Sequence, residues 1–127
     1  MFSLLERVAD LSDHTRYKMA ASIVMKNRVI SFGYNRMKTD PLQARFGKNA
    51  ECIYLHAEIA SIKNALRHLD VDDLRKTEMY VLRIRNGTDG PEWAMSKPCD
   101  GCMGAIEEFG IKRVYYTTKP NEYEQLV

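Results

Sequence analysis

Cysteine is scarce in this 127-residue chain: there are three, an odd number that does not suit a disulfide framework. With no export signal in view, a reducing, cytoplasmic compartment is expected, and metal ligation or burial must account for the sulfurs. Long apolar runs are missing too. Met1 to Leu5 is apolar, but Glu6, Arg7 and Asp10 follow at once, so no signal-peptide core forms there. No run approaches the length that crosses a bilayer, and no membrane partner is expected. Charge of one sign is also lacking: 19 Lys and Arg against 17 Asp and Glu leave a formal net charge of +2. That is short of the dense basic surface of phosphate-driven nucleic-acid binders. Clustering of the cations around one pocket would favour an anionic substrate, but composition does not show clustering. Repeats, low-complexity tracts and interdomain linkers are absent.

What is present is a globular composition, 45% hydrophobic and 28% charged, at a length that fits one core. A single domain over residues 1–127 is expected. Phe2, Leu4, Leu5, Val8, Ala9 and Leu11 recur at helical spacing. Met19 to Met25 and Val29 to Tyr34, joined at Lys26-Asn27-Arg28, read as a β-hairpin. Asn35 to Cys52, with Asp40-Pro41 and Gly47, lacks periodicity and reads as a long loop, with at most a short helical turn. Loops of such length are usually functional.

His56 to Leu69 is apolar around much of its circumference, as in a helix packed on a sheet. Met79 to Ile84 reads as a third strand, ended by the turn formers Asn86 to Pro91. Cys99 to Phe109 is a short helix stopped by Gly110, and Ile111 to Tyr116 a fourth strand. The few residues that follow do not hold a crossover helix plus a parallel strand. Glu122 to Val127 therefore folds back antiparallel after the turn Thr118 to Asn121, with a short helix as the alternative.

Four reactive side chains fall at two predicted helix starts, His56-Ala57-Glu58 and Pro98-Cys99-Asp100-Gly101-Cys102. Residues three apart share a helix face, so Cys99 and Cys102 can present both sulfurs to one ion. Helix N-termini carry partial positive charge, which favours the thiolates that ligation needs. Pro98 suits such a start because it lacks an N–H that would be unpaired there. Two thiolates and the His56 imidazole leave a fourth tetrahedral position open, as in catalytic rather than structural zinc sites. Glu58 is placed to carry protons beside it. Taken alone, a Cys-x-x-Cys is a structural half-site or redox pair, and a histidine on an apolar helix is core.

Together the His-x-Glu and Pro-Cys-x-x-Cys segments resemble the signature of zinc-dependent cytidine and deoxycytidylate deaminases. The hairpin Ala20-Ala21-Ser22-Ile23-Val24 and Val29-Ile30-Ser31-Phe32-Gly33-Tyr34-Asn35 resembles the first hairpin of that family, so nearly the whole chain is covered. The resemblance implies an α/β fold, a cytidine-deaminase-like α/β/α sandwich with a mixed sheet of four or five strands and two zinc-bearing helices. It implies one zinc per chain and a hydrolase acting on an amidine C–N bond. It further implies that Asn35 meets a sugar hydroxyl or base, that the Ala57 backbone meets the base, and that Ser96 lies close by. Relatives assemble into dimers to hexamers, so a homo-oligomer is expected.

Each lesser candidate has a plainer reading. Asn35 could merely end a strand. Arg36, Lys38 and Arg45 could hold a 5′-phosphate through bidentate forks, or be solvated loop charges. Tyr116, or its neighbour Tyr115, could stack on a base, although strand aromatics are mostly core. Cys52 reads as a buried spare, and His14 and His68 as surface or satisfied residues. Two departures bear on substrate: the short stretch after the fourth strand, and Lys97 before Pro98. The leading expectation is deamination of a small-molecule cytosine nucleotide or nucleoside, deoxycytidylate ahead of cytidine. The alternatives are a deaminase acting on a base within RNA or single-stranded DNA, which the mild charge disfavours, and an inactive zinc-stabilised binding domain.

Overall fold

In the computed structural model, which describes residues 1–14, 17–47 and 54–126, the sheet begins at a tight hairpin. Strands β1 (Tyr17–Met25) and β2 (Arg28–Tyr34) are joined through Lys26 and Asn27, at φ 52° and 64°. Two successive positive φ values match the twist of paired strands. Beyond β1 come β3 (Glu78–Gly87), then β5 (Arg113–Lys119) and β6 (Glu122–Gln125), in the order β2-β1-β3-β5-β6. Among the described residues only the β3–β5 pairing is parallel.

The sheet has six strands among the described residues, which corrects the expected four or five. The missed one is β4 (Gly90–Ala94), which returns antiparallel along β3 after a turn at Thr88 and Asp89. Residues Asn86 to Pro91 are thus mostly strand rather than turn. The sequence of β4, Gly-Pro-Glu-Trp-Ala, has no alternation and buries only Ala94, so period-2 patterning does not register it. Since β1 occupies one edge of β3 as far as Arg85, β4 and β5 share the other edge. β5 pairs with Glu78 to Val81 and β4 with Arg83 to Gly87.

Ser96 and Thr117 fill the gap where the edge changes partner. Thr117 Oγ1 accepts from Arg83 N–H at 3.3 Å and lies 2.8 Å from the Ala94 carbonyl, to which it can donate. Ser96 Oγ lies 2.9 Å from the Val81 carbonyl and accepts from Thr117 N–H at 2.7 Å. β6 is the antiparallel return the sequence favours, turning at Asn121 with φ 61°.

Helices cover both faces, as expected of an α/β/α sandwich. On one face α1 (Phe2–Ala9) buries Phe2, Leu5 and Ala9 against Ala20 and Leu82. The Phe2 ring lies 5.6 Å from Tyr80, edge-on. On the other face α3 (Ala57–Ala65) and α4 (Asp100–Phe109) pack Ile59, Ile62, Ala105 and Ile106 on Ala21, Ile23, Met79 and Val81. α3 lies so close to β2 that a Cβ on Gly33 would sit 2.3 Å from Ser61 N and 2.7 Å from Ala57 O. Gly110 ends α4 at φ 72°, the left-handed cap its sequence position suggests.

The expected long loop contains α2 (Pro41–Phe46). Asp40 caps it, accepting from Leu42 N–H at 2.9 Å and Gln43 N–H at 3.1 Å, and Pro41 opens its first turn. Among the described residues no helix is long and apolar enough to cross a membrane.

Candidate metal centre

The two helix starts converge as the sequence requires. His56 is the residue before α3, in extended conformation, and Cys99 holds the same place before α4. Cys102 follows one turn into α4, so both sulfurs face the imidazole. His56 Nδ1 lies 3.3 Å from Cys102 Sγ and 3.6 Å from Cys99 Sγ. The three ligand atoms all lie within 4.8 Å of one another. Nitrogen and sulfur bound tetrahedrally to zinc at about 2.0 and 2.3 Å stand about 3.6 Å apart, so this donor set fits zinc, one ion per chain. No other described His, Cys, Asp or Glu joins the group, which leaves the fourth position to a small molecule.

Electrostatics agree with ligation. The Cys99 thiol is lowered from 9.0 to about 3, chiefly by its hydrogen bond with Cys102 and then by that with His56. His56 is raised, first through its hydrogen bond with Cys99. Two residues beyond His56, Glu58 is 2% exposed and its Oε1 has no hydrogen-bond partner among the described residues. Burial pushes its carboxyl above the ordinary range, with the His56 charge opposing.

His56, Glu58 and Cys99 line a cavity of about 180 Å³ with Tyr17, Met19, Arg83, Met95 and Lys97. A second cavity of about 210 Å³ shares Tyr17, Met19 and His56 and adds His14, Asn35, Arg36 and Tyr54. Asn35 therefore faces the space beside the metal centre, although its Oδ1 already accepts from Met19 N–H at 2.9 Å. Ala57 is fully buried as the first residue of α3.

The other sequence candidates scatter. Arg36 lines the second cavity and Lys38 a third, farther one, while Arg45 lines neither metal-side cavity and pairs with Glu108 at 2.8 Å. Ser96 is 1% exposed and holds the strand junction described above. Tyr116 packs in the core, and Tyr115 stacks on Tyr80 at 4.9 Å. His14 stacks on Tyr17 at 4.2 Å and its Nδ1 accepts from Tyr17 N–H, so it is a satisfied residue, as read; His68 is exposed. Cys52 lies outside the described residues.

Sequence reasoning passed over Tyr17, Arg83 and Gln43. The alternation of β3 could have found Arg83, which follows Val81 onto the α3–α4 face; Gln43 left no signal. Among curated proteins no sequence matches. The family model described as the cytidine and deoxycytidylate deaminase zinc-binding region matches residues 1–118.

Solved structures share the fold. The dCMP deaminase of cyanophage S-TIM5 in complex with dCMP and dUMP is 19% identical, with TM-score 0.59 over 91% of this chain and 76% of that one. Its apo form gives 21% identity, TM-score 0.53, and 91% and 75% coverage. Cytidine deaminase from Burkholderia pseudomallei gives 13% identity, TM-score 0.63, and 98% and 87% coverage.

Proposed function

The chain belongs to the cytidine and deoxycytidylate deaminase family, and from that premise we propose that it hydrolytically deaminates a cytosine nucleotide or nucleoside, with deoxycytidylate ahead of cytidine. One observation carries the reading: Glu58, buried and with Oε1 unpartnered among the described residues, lines the same cavity as His56 and Cys99. Zinc in this donor set supplies Lewis-acid chemistry that makes a water molecule acidic near pH 7.

Glu58 moves the protons. Its carboxylate takes one from the attacking water, delivers it to the ring nitrogen beside the amino-bearing carbon, and then moves the remaining proton from the newly bonded hydroxyl to the departing amine. A C–O bond forms, the C–N bond breaks, and ammonia leaves with the uracil product behind. A carboxyl raised by burial suits a group that both accepts and donates protons. Asn35 Nδ2 donates to Tyr17 O at 3.5 Å, and its second amide hydrogen, without a partner among the described residues, can meet a sugar hydroxyl in the adjoining cavity.

The test is turnover by the zinc-loaded chain on a panel of cytosine nucleosides, nucleotides and single-stranded oligonucleotides. Ammonia release from the nucleotides is expected; none from any cytosine compound would overturn the reading. A second reading, action on a base within a single strand, has one observation in favour. The third cavity, of about 250 Å³, shares Arg36 and Leu55 with the second and adds Lys38, Lys63 and Arg67. Its cations and Tyr34 would suit a polynucleotide path, and turnover confined to the oligonucleotides would select this reading.

A further inference from the structure

The cavity beside the metal centre holds two cations that the deamination chemistry does not use, Arg83 and Lys97. Neither has a carboxylate partner among the described residues. Glu58 lines the same cavity, but its Oε1 and the Arg83 Nε are each without a hydrogen-bond partner among the described residues. The Arg83 guanidinium carbon sits 4.2 Å from the centre of the Tyr17 ring, and its Nε is buried without a hydrogen-bond partner among the described residues. A planar cation stacked on an aromatic face keeps its N–H edge aimed sideways, and a buried N–H with no acceptor is retained where a ligand supplies one.

Arg83 is also held at a fixed point of the sheet. It lies opposite Met19 of β1 and opposite Ala94 of β4, and its backbone N–H meets Thr117 Oγ1. The extra strand β4 thus pins the cation at the cavity wall. Cytosine is neutral and needs no fixed positive charge, whereas a 5′-phosphate brings two negative charges and several acceptor oxygens.

We propose that Arg83, stacked on Tyr17 and seconded by Lys97, receives the phosphate of the substrate and makes this enzyme select nucleoside monophosphates over nucleosides. The proposal rests on the deaminase reading for the identity of the substrate, not for the presence of the anion site. An Arg fork contributes both charge and paired N–H donors, so lysine at the same position keeps only part of the effect.

The experiment uses the zinc-loaded full chain and its R83Q, R83K and K97A variants, each checked for zinc content and circular dichroism. Two quantities are read: the ratio of kcat/KM for deoxycytidylate over deoxycytidine, and the ratio of calorimetric Kd for deoxyuridine over dUMP. R83Q is expected to lower both ratios on the order of 10–100-fold, the range of a charge-assisted hydrogen bond, with R83K intermediate and K97A smaller. Equal losses for nucleoside and nucleotide would assign Arg83 to the base or the fold and overturn the proposal. So would a wild-type chain that binds dUMP no better than deoxyuridine. If R83Q does not fold, R83K and K97A decide by the same ratios. A wild-type chain that turns over no cytosine compound, yet shows the binding gap that R83Q erases, would sink the deaminase reading and leave the anion site standing.

Discussion

The backbone N–H of His56 donates to Gln43 Oε1 at 3.0 Å, across 13 positions of sequence. Gln43 is fully buried on α2, a helix anchored by the Asp40 cap, and Asp40 is tied in turn to Lys63 of α3 by an ion pair. The loop helix therefore sets where the metal-binding histidine leaves the preceding chain. Replacing Gln43 with Leu should cost about 1–3 kcal/mol of stability and weaken zinc binding about tenfold. Thermal melts and chelator competition measure the two effects; unchanged zinc affinity would show that the histidine needs no such support.

Glu58→Gln keeps the size of the side chain and removes its ability to carry a proton. Zinc content should stay at one per chain while turnover falls on the order of 100–10,000-fold. Ammonia release at the wild-type rate would remove Glu58 from the chemistry.

Cys99 is exposed and its thiol is lowered to about 3, whereas Cys102 is buried. In the zinc-free folded chain Cys99 is then a thiolate throughout the range from pH 5 to 8. Its alkylation by iodoacetamide should be nearly independent of pH there, since an ordinary thiol loses about tenfold in rate per unit below its pKa. Peptide mass spectrometry should find Cys99 labelled ahead of Cys102, and zinc should protect both. A tenfold fall in Cys99 rate per pH unit would contradict the lowered pKa.

Thr117→Val removes the hydroxyl that links Arg83 N–H to the Ala94 carbonyl. Stability should drop by about 1–3 kcal/mol because buried backbone groups lose a partner. Denaturant titration reads this directly. The substitution should also loosen Arg83, lowering the proposed preference for deoxycytidylate along with stability.

Gly33→Ala places a methyl against the Ala57 carbonyl and Ser61 N–H of α3. Pushing α3 off β2 should cost about 1–3 kcal/mol, with zinc affinity falling because the shifted helix starts directly after His56. A melting temperature equal to wild type would show that α3 has slack.

Helix α4 and its two cysteines were readable because every cue is local: Pro98 at the start, sulfurs one turn apart, Gly110 at the end. α3 was readable from its apolar girth, although it ends at Ala65 rather than Leu69. β4 and β6 were harder, since edge strands bury little: β6 is exposed at all four residues and β4 buries one of five. α2 hid behind Asp40-Pro41, a pair that suits a turn and a helix start equally.

By itself the sequence determined the donor types, the candidate proton carrier and the positions they take at two helix starts, because ligand chemistry and helical spacing reside in runs of a few residues. Tertiary structure alone decided that Gln43 holds His56, that β4 pairs beside Arg83 of β3, and that Ser96 and Arg45 are occupied by Val81 and Glu108. These depend on strand order and on where long side chains reach after packing. Such contacts join segments far apart along the chain, and no local pattern encodes them.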